Sequence, residues 1–190
     1  MDVSQLQHFF DCCLGNWDIE RTYHFLSRKE VERSHTKFSV RALTETLKDK
    51  VLADNAYSLA PERAELATGF QLAFHTISDK GEEVSQSLNA LFVPQTEEAE
   101  GVMSGDYLRD RAYEEDRPLV SHFQFDPRSS ELLMTTPYTQ VVAVDSIVLL
   151  NPELRLRKIL TYRRPRDGQP LSEVVLIGFG VEQKVGTAVE

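Results

Sequence analysis

The apolar positions of this chain fall into one short helical stripe followed by a long series of alternating runs. Val3, Leu6, Phe9, Phe10, Cys13 and Leu14 recur at steps of three and one, which predicts an amphipathic helix over 3–14 with Gly15 at its C-terminal cap. From Trp17 the period changes to two, with Trp17, Ile19, Arg21, Tyr23 and Phe25 alternating with Asp18, Glu20, Thr22 and His24. That alternation predicts a strand whose mostly apolar face carries one arginine. On this strand alone, Arg21 packs its stem at the rim and carries its head to water.

A second strand is predicted over 31–42, with Phe38, Val40 and Ala42 on one side and His35, Lys37 and Arg41 on the other. Leu47, Val51 and Leu52 stand at helical spacing within 44–57, which reads as a short helix or lid closed by Pro61. Alternation resumes over 68–78, turns at Ser78-Asp-Lys-Gly81 and returns over 83–93, where Pro94 ends the strand. Glu97, Glu98 and Glu100 form an acidic tip, read as a solvated loop. Further runs over 101–108, 119–125, 131–136, 139–150, 153–164 and 171–184 are separated by a polar loop over 109–117 and by turns rich in Pro, Asp, Ser and Gly. The expectation is one all-β domain over 1–190, with about ten short antiparallel strands after an N-terminal helix and a short helix after the second strand. Closing such a sheet into a barrel removes its edges, and an open β-sandwich is the alternative.

The formal net charge of -9, from 21 Lys and Arg against 30 Asp and Glu, argues against nucleic acid and anionic membranes as partners. No apolar run approaches the roughly 20 residues of a membrane span, and Met-Asp-Val-Ser lacks the basic flank of a signal peptide. A cytoplasmic protein is expected. The neighbouring Cys12 and Cys13 are ill placed to bridge each other and read as reduced, structural thiols. His8, His24, His35, His75 and His122 are scattered without a metal-binding spacing, so no metal is expected. Gly178-Phe-Gly180 lies in a strand and leads to no helix, which makes each glycine a bend or a close backbone approach rather than part of a dinucleotide fingerprint.

What remains is a set of charges on strands: Arg21, Asp145, Arg155, Arg157 and Glu182, with Trp17, Phe74 and Tyr138 as candidate aromatic walls. Guanidinium forks match carboxylates on a ligand, whereas Asp145 or Glu182 match N–H donors. Periodicity opposes an inward site. Over 153–163 the face carrying Leu154, Leu156, Leu160 and Tyr162 is the more apolar, which points Arg155 and Arg157 to solvent unless something else covers the leucines. Turn length leaves two registers open: a three-residue turn over 150–152 sets Asp145 opposite Arg157 on one face, and a two-residue turn over 151–152 sets it opposite Lys158 on the other.

Phe9-Phe10 before Gly15-Asn-Trp17, then Arg21-Thr-Tyr-His24, Asn151-Pro-Glu-Leu-Arg-Leu-Arg157 and Gly178-Phe-Gly-Val-Glu-Gln-Lys184 resemble the S-type phycobiliprotein lyases, the CpcS/CpeS family of bilin lyases. The likeness spans nearly the whole chain and is loose over 43–108. Phe74 stands roughly where some relatives have tryptophan, and Ser146-Ile-Val-Leu-Leu150 lacks an aromatic pair common among them. The resemblance implies a lipocalin-like (calycin) barrel that binds a phycobilin, phycocyanobilin or phycoerythrobilin. This linear tetrapyrrole would be delivered to an apo-phycobiliprotein subunit for thioether attachment to a cysteine. Arg21, Arg155 and Arg157 would contact the bilin propionates or ring oxygens, with Asp145 and Glu182 as the acids. A homodimer or a related lyase subunit is a further partner to be expected, and the alternative function is a bilin carrier without transfer.

Overall fold

The computed structural model describes residues 4–97, 101–110, 117, 119–166 and 168–186. Its elements, in chain order, are α1 (Ser4–Cys13), β1 (Gly15–Phe25), β2 (Glu30–Ala42), α2 (Glu45–Asp54), α3 (Pro61–Ala64), β3 (Thr68–Ser78), β4 (Glu83–Glu97) and β5 (Met103–Arg109). They continue with β6 (Ser121–Asp126), β7 (Glu131–Pro137), β8 (Val141–Asn151), β9 (Leu154–Arg163) and β10 (Val174–Val185). All strand pairings are antiparallel between neighbours in sequence, and β1 pairs with β10 to close the barrel. Closure leaves no sheet edge, which excludes the open sandwich. Among the described residues no helix is long and apolar enough to cross a membrane.

The stripe on α1 plugs one end of the barrel. Leu6, Phe9, Phe10 and Cys13 are buried, Phe10 stacks on Phe70 at 4.6 Å between ring centroids and Phe9 meets Phe125 at 5.2 Å. Two hydrogen bonds fix the helix end, from Trp17 Nε1 to the Cys13 carbonyl (2.9 Å) and from Lys184 Nζ to the Cys12 carbonyl (2.8 Å). They satisfy carbonyls that a helix terminus leaves free. The turns between β6 and β7 and between β8 and β9 lie at this closed end.

A second core lies outside the barrel. Leu91 and Val93 alternate with Ala90 and Phe92 along β4, so both faces of this strand are apolar and both are buried. Ala90 and Phe92 face the lumen core, while Leu91, Val93 and Leu108 pack with Leu43, Val51 and Ala67 beside α2 and α3. Thr44 caps α2 as its Oγ1 accepts from the Leu47 N–H at 3.4 Å.

Two proline assignments need correction. Pro61 does not close the inserted segment but starts α3, where its missing N–H costs nothing. Pro94 lies within β4, at the register shift between Pro94 and Thr96, a site where a strand tolerates the lost donor. Glu97 ends β4, while Glu98, Glu100, most of the 109–117 loop and Asp167 lie outside the described residues.

Gly69 marks a close approach of β3 to β4, since a Cβ there would sit 2.1 Å from the Ala90 carbonyl oxygen. Replacing Gly69 with alanine is expected to lower the melting temperature by roughly 5–10 °C through overpacking. An unchanged midpoint in a thermal scan would show that these strands can part.

Candidate functional site

Cross-strand register, more than any single strand, builds the charged interior. On β10 the inward positions are Gly178, Gly180 and Glu182, aligned respectively with Tyr23, Arg21 and Ile19 of β1 and with Ile159, Arg157 and Arg155 of β9. Gly178 makes room for the ring that flanks it. A Cβ on Gly178 would lie 2.9 Å from the Tyr23 ring, and one on Gly180 would lie 3.4 Å from Arg21 Cγ and 3.6 Å from Arg157 Cβ. Gly178 is therefore a close approach, to the Tyr23 ring, whereas a Cβ at Gly180 would meet only ordinary contacts, so the expectation of a close approach does not hold there.

Arg155 and Arg157 point into the lumen. Arg155 is 2% exposed whereas Leu156 is 40% exposed, so the solvent-facing arginines predicted by periodicity are overturned. The inward face of β9 meets carboxylates from both neighbouring strands, and these make arginine burial affordable. Neither turn register occurs. β8 and β9 shift between Leu149 and Asn151, so that Ile147 opposes Arg157 and Asp145 opposes Ile159. A bulge of this kind moves the pairing while keeping Asp145 on the arginine face.

The site has a deep and a shallow layer. In the deep layer, toward the end plugged by α1, Arg155 Nε donates to Glu182 Oε2. The Arg155 guanidinium carbon stands 4.1 Å from the centroid of the Trp17 ring and 5.8 Å from that of Phe38. Arg21 Nη2 approaches Glu182 Oε1 at 3.6 Å. Burial alone would push the Glu182 carboxyl up, but the charges of Arg155, Arg157 and Arg21 outweigh it and hold the carboxyl below its usual range.

One step nearer the mouth, Arg157 grips Asp145 with both prongs of its fork, Nε donating to Oδ1 at 2.8 Å and Nη2 to Oδ2. Burial alone would lower the Arg157 pKa, and the charge and hydrogen bonds of Asp145 instead hold it above the ordinary value. Three guanidinium groups against two carboxylates leave this cluster with one net positive charge inside an acidic protein. Arg21 Nε, Ser34 Oγ and Glu182 Oε1 are buried without a hydrogen-bond partner, an arrangement that a polar ligand would relieve.

The aromatic candidates divide. Trp17 is 1% exposed under Arg155, and Phe74 lies one ring further out, 6.3 Å from Phe38. Tyr138 is elsewhere, in the turn between β7 and β8, where its hydroxyl accepts from Arg109 Nη2 at 2.6 Å and its carbonyl from Arg164 Nη1 at 2.8 Å. Ser34, Phe38, Tyr23 and Met134 also face the cluster, and of these only Tyr23 shares a strand face with a charged member of it. The signal of the others lies in pairing, with Ser34 opposite Arg21 and Met134 opposite Asp145, and is visible only once register is known.

Both cysteines are free. Burial pushes the Cys13 thiol up, against the lowering influence of nearby Arg155, so this thiol is a poor source of thiolate. Among the described residues no three His, Cys, Asp or Glu side chains gather as a metal site requires. The lumen holds a cavity of about 50 Å³ bordered by Phe38, Met134, Arg155 and Arg157. Ligand pockets usually offer about 300–1,000 Å³, so a large ligand must use the half-buried mouth around Arg157 and Asp145. A concavity of about 770 Å³ also runs over β1–β4, lined in part by Trp17, Phe38 and Phe74, and the first two of these rings also border Arg155.

The family model described as CpeS-like protein matches residues 5–185. The chain is 61% identical over 183 residues to Chromophore lyase CpcS/CpeS 1 of Synechococcus sp. (strain JA-3-3Ab), covering 96% of this chain and 98% of that relative. It is 24% identical over 149 residues to Chromophore lyase CpcS/CpeS 2 of Synechocystis sp. (strain ATCC 27184 / PCC 6803 / Kazusa), covering 78% of this chain and 76% of the relative. Its fold is similar to that of the S-type phycobiliprotein lyase CPES from Guillardia theta, with a TM-score of 0.72 at 16% identity over 96% of this chain and 93% of that one.

Proposed function

The chain belongs to the CpeS-like family of S-type phycobiliprotein lyases, and on that premise we propose that this chromophore lyase binds a phycobilin at the barrel mouth and delivers it to an apo-phycobiliprotein subunit. The observation that carries the reading is the net positive, incompletely hydrogen-bonded cluster of Arg21, Arg155, Arg157, Asp145 and Glu182 inside an acidic barrel. A phycobilin brings carboxylates for the guanidinium forks and pyrrole N–H groups for the acids.

In this reading the nucleophile is the acceptor's cysteine, in keeping with the raised pKa of Cys13. Its sulfur forms the thioether bond to the ring-A side chain, and the thiol proton passes to the tetrapyrrole. Arg157 binds a propionate, Asp145 or Glu182 holds pyrrole N–H groups and favours the protonated, electrophilic pigment, and Arg21 and Arg155 fix Glu182 in place. Trp17 and Phe74 line the approach, whereas Tyr138, held by Arg109 and Arg164, takes no part in it. The reaction runs in the cytoplasm during phycobilisome assembly. The outer face of β9 and β10, where Leu156, Phe179 and Val181 are exposed, is where a second copy or a related lyase subunit would pack.

Mixing the purified chain with phycocyanobilin or phycoerythrobilin and individual apo-subunits is expected to give covalent, acid-stable pigment on the acceptor faster than the spontaneous reaction. Saturable binding without faster attachment would identify a carrier instead.

A further inference from the structure

The two carboxylate–arginine pairs of the lumen differ in how far they are open to exchange. Arg155 and Glu182 are 3% and 0% exposed at their side chains, and Arg155 is also sandwiched against Trp17. Separating them would strand a fully buried carboxylate. Arg157 and Asp145 are 19% and 21% exposed and lie one step nearer the mouth. Both prongs of the Arg157 fork are taken by Asp145, the same chemical group that a tetrapyrrole carries on its propionates.

We propose that Asp145 is a specificity-determining residue which holds the Arg157 fork in the ligand-free chain, so that a tetrapyrrole enters by exchanging one of its own carboxylates for that of Asp145. The inference rests on the tetrapyrrole reading above and deepens it. Asp145's inward cross-strand neighbours are Met134 and Ile159, and neither side chain can donate a hydrogen bond. Once Arg157 turns to the ligand, Asp145 loses the two hydrogen bonds of the fork, and a pyrrole N–H replaces them. The exchange leaves no charge stranded only if the ligand brings both a carboxylate and N–H groups. An apolar ligand, or a tetrapyrrole with masked carboxylates, offers nothing that displaces Asp145. Arg157 also borders the small lumen cavity, so its movement widens the space behind the mouth.

The test compares biliverdin with its dimethyl ester by absorbance titration of the full chain, with Asp145→Asn and, should that variant not fold, Asp145→Ser. Both replacements remove the competing charge while keeping an oxygen acceptor. Wild type is expected to prefer the free acid. The variants are expected to bind the free acid about tenfold tighter, change the ester's affinity by less than about twofold, and transfer bilin to an apo-subunit more slowly. Free-acid affinity that stays the same or weakens in the variants overturns the exchange while leaving the binding site intact. Failure of wild type to bind either probe defeats the tetrapyrrole reading and the exchange with it.

Discussion

Glu182→Gln is expected to destabilise the protein by about 3–5 kcal/mol, because it removes the carboxylate that neutralises Arg155 and faces Arg21 in a buried layer. The replacement is nearly the same shape, so the loss is electrostatic rather than a cavity. For a chain of this size the melting temperature should fall by roughly 10 °C. The pH dependence carries a sign. Glu182 has a folded-state pKa held below its unfolded value, so its contribution is fully present above an unfolded carboxyl pKa of about 4.3 and is lost as pH falls through the lower folded value. The gap between wild type and variant should therefore be constant at neutral pH and close in strong acid. Equal melting temperatures at pH 7 would remove Glu182 from its structural role.

Arg157→Ala should do the opposite, sparing the fold and damaging function. The Arg157–Asp145 side chains are 19% and 21% exposed, so removing the arginine leaves a carboxylate that water at the mouth can partly reach, which costs about 1–2 kcal/mol rather than the larger penalty of a fully buried pair. Charge-assisted hydrogen bonds to a ligand contribute about 1.5–3 kcal/mol. The variant should thus melt within a few degrees of wild type, while bilin affinity and the initial rate of attachment fall by roughly ten- to a hundredfold. Arg155→Ala provides the contrast, since it strands Glu182 and should melt well below wild type. Attachment by Arg157→Ala at the wild-type rate would separate the shallow pair from the chemistry.

These opposed outcomes for two arginines two positions apart show where the sequence stops. Leu154, Leu156, Leu160 and Tyr162 form the more apolar face of their strand by count, yet it is Arg155 that is buried and Leu156 that is exposed. A single strand cannot reveal the carboxylates that its neighbours will present. Glu182 lies 27 residues beyond Arg155 in the chain and directly opposite it in the sheet. Arg21 likewise gains its partner only when β1 closes on β10.

By itself the sequence determined the α1 stripe, the run of alternating strands, the short helix after β2 and the residues from which the charged cluster is drawn. Those features rest on local periodicity and turn chemistry, which a chain carries in its own order. The motif around Asn151–Arg157 also carried the family resemblance that the comparisons establish. Tertiary structure alone decided the β8–β9 register, through the bulge at their turn that keeps Asp145 beside Arg157, and it supplied the carboxylates on both neighbouring strands that turn the arginine face of β9 inward. It also decided that Arg155 is buried with Glu182 and Trp17 while Arg157 stands at the mouth. Closure of the barrel brings distant strands into register, and the energy of a buried charge depends on those partners rather than on its neighbours in sequence.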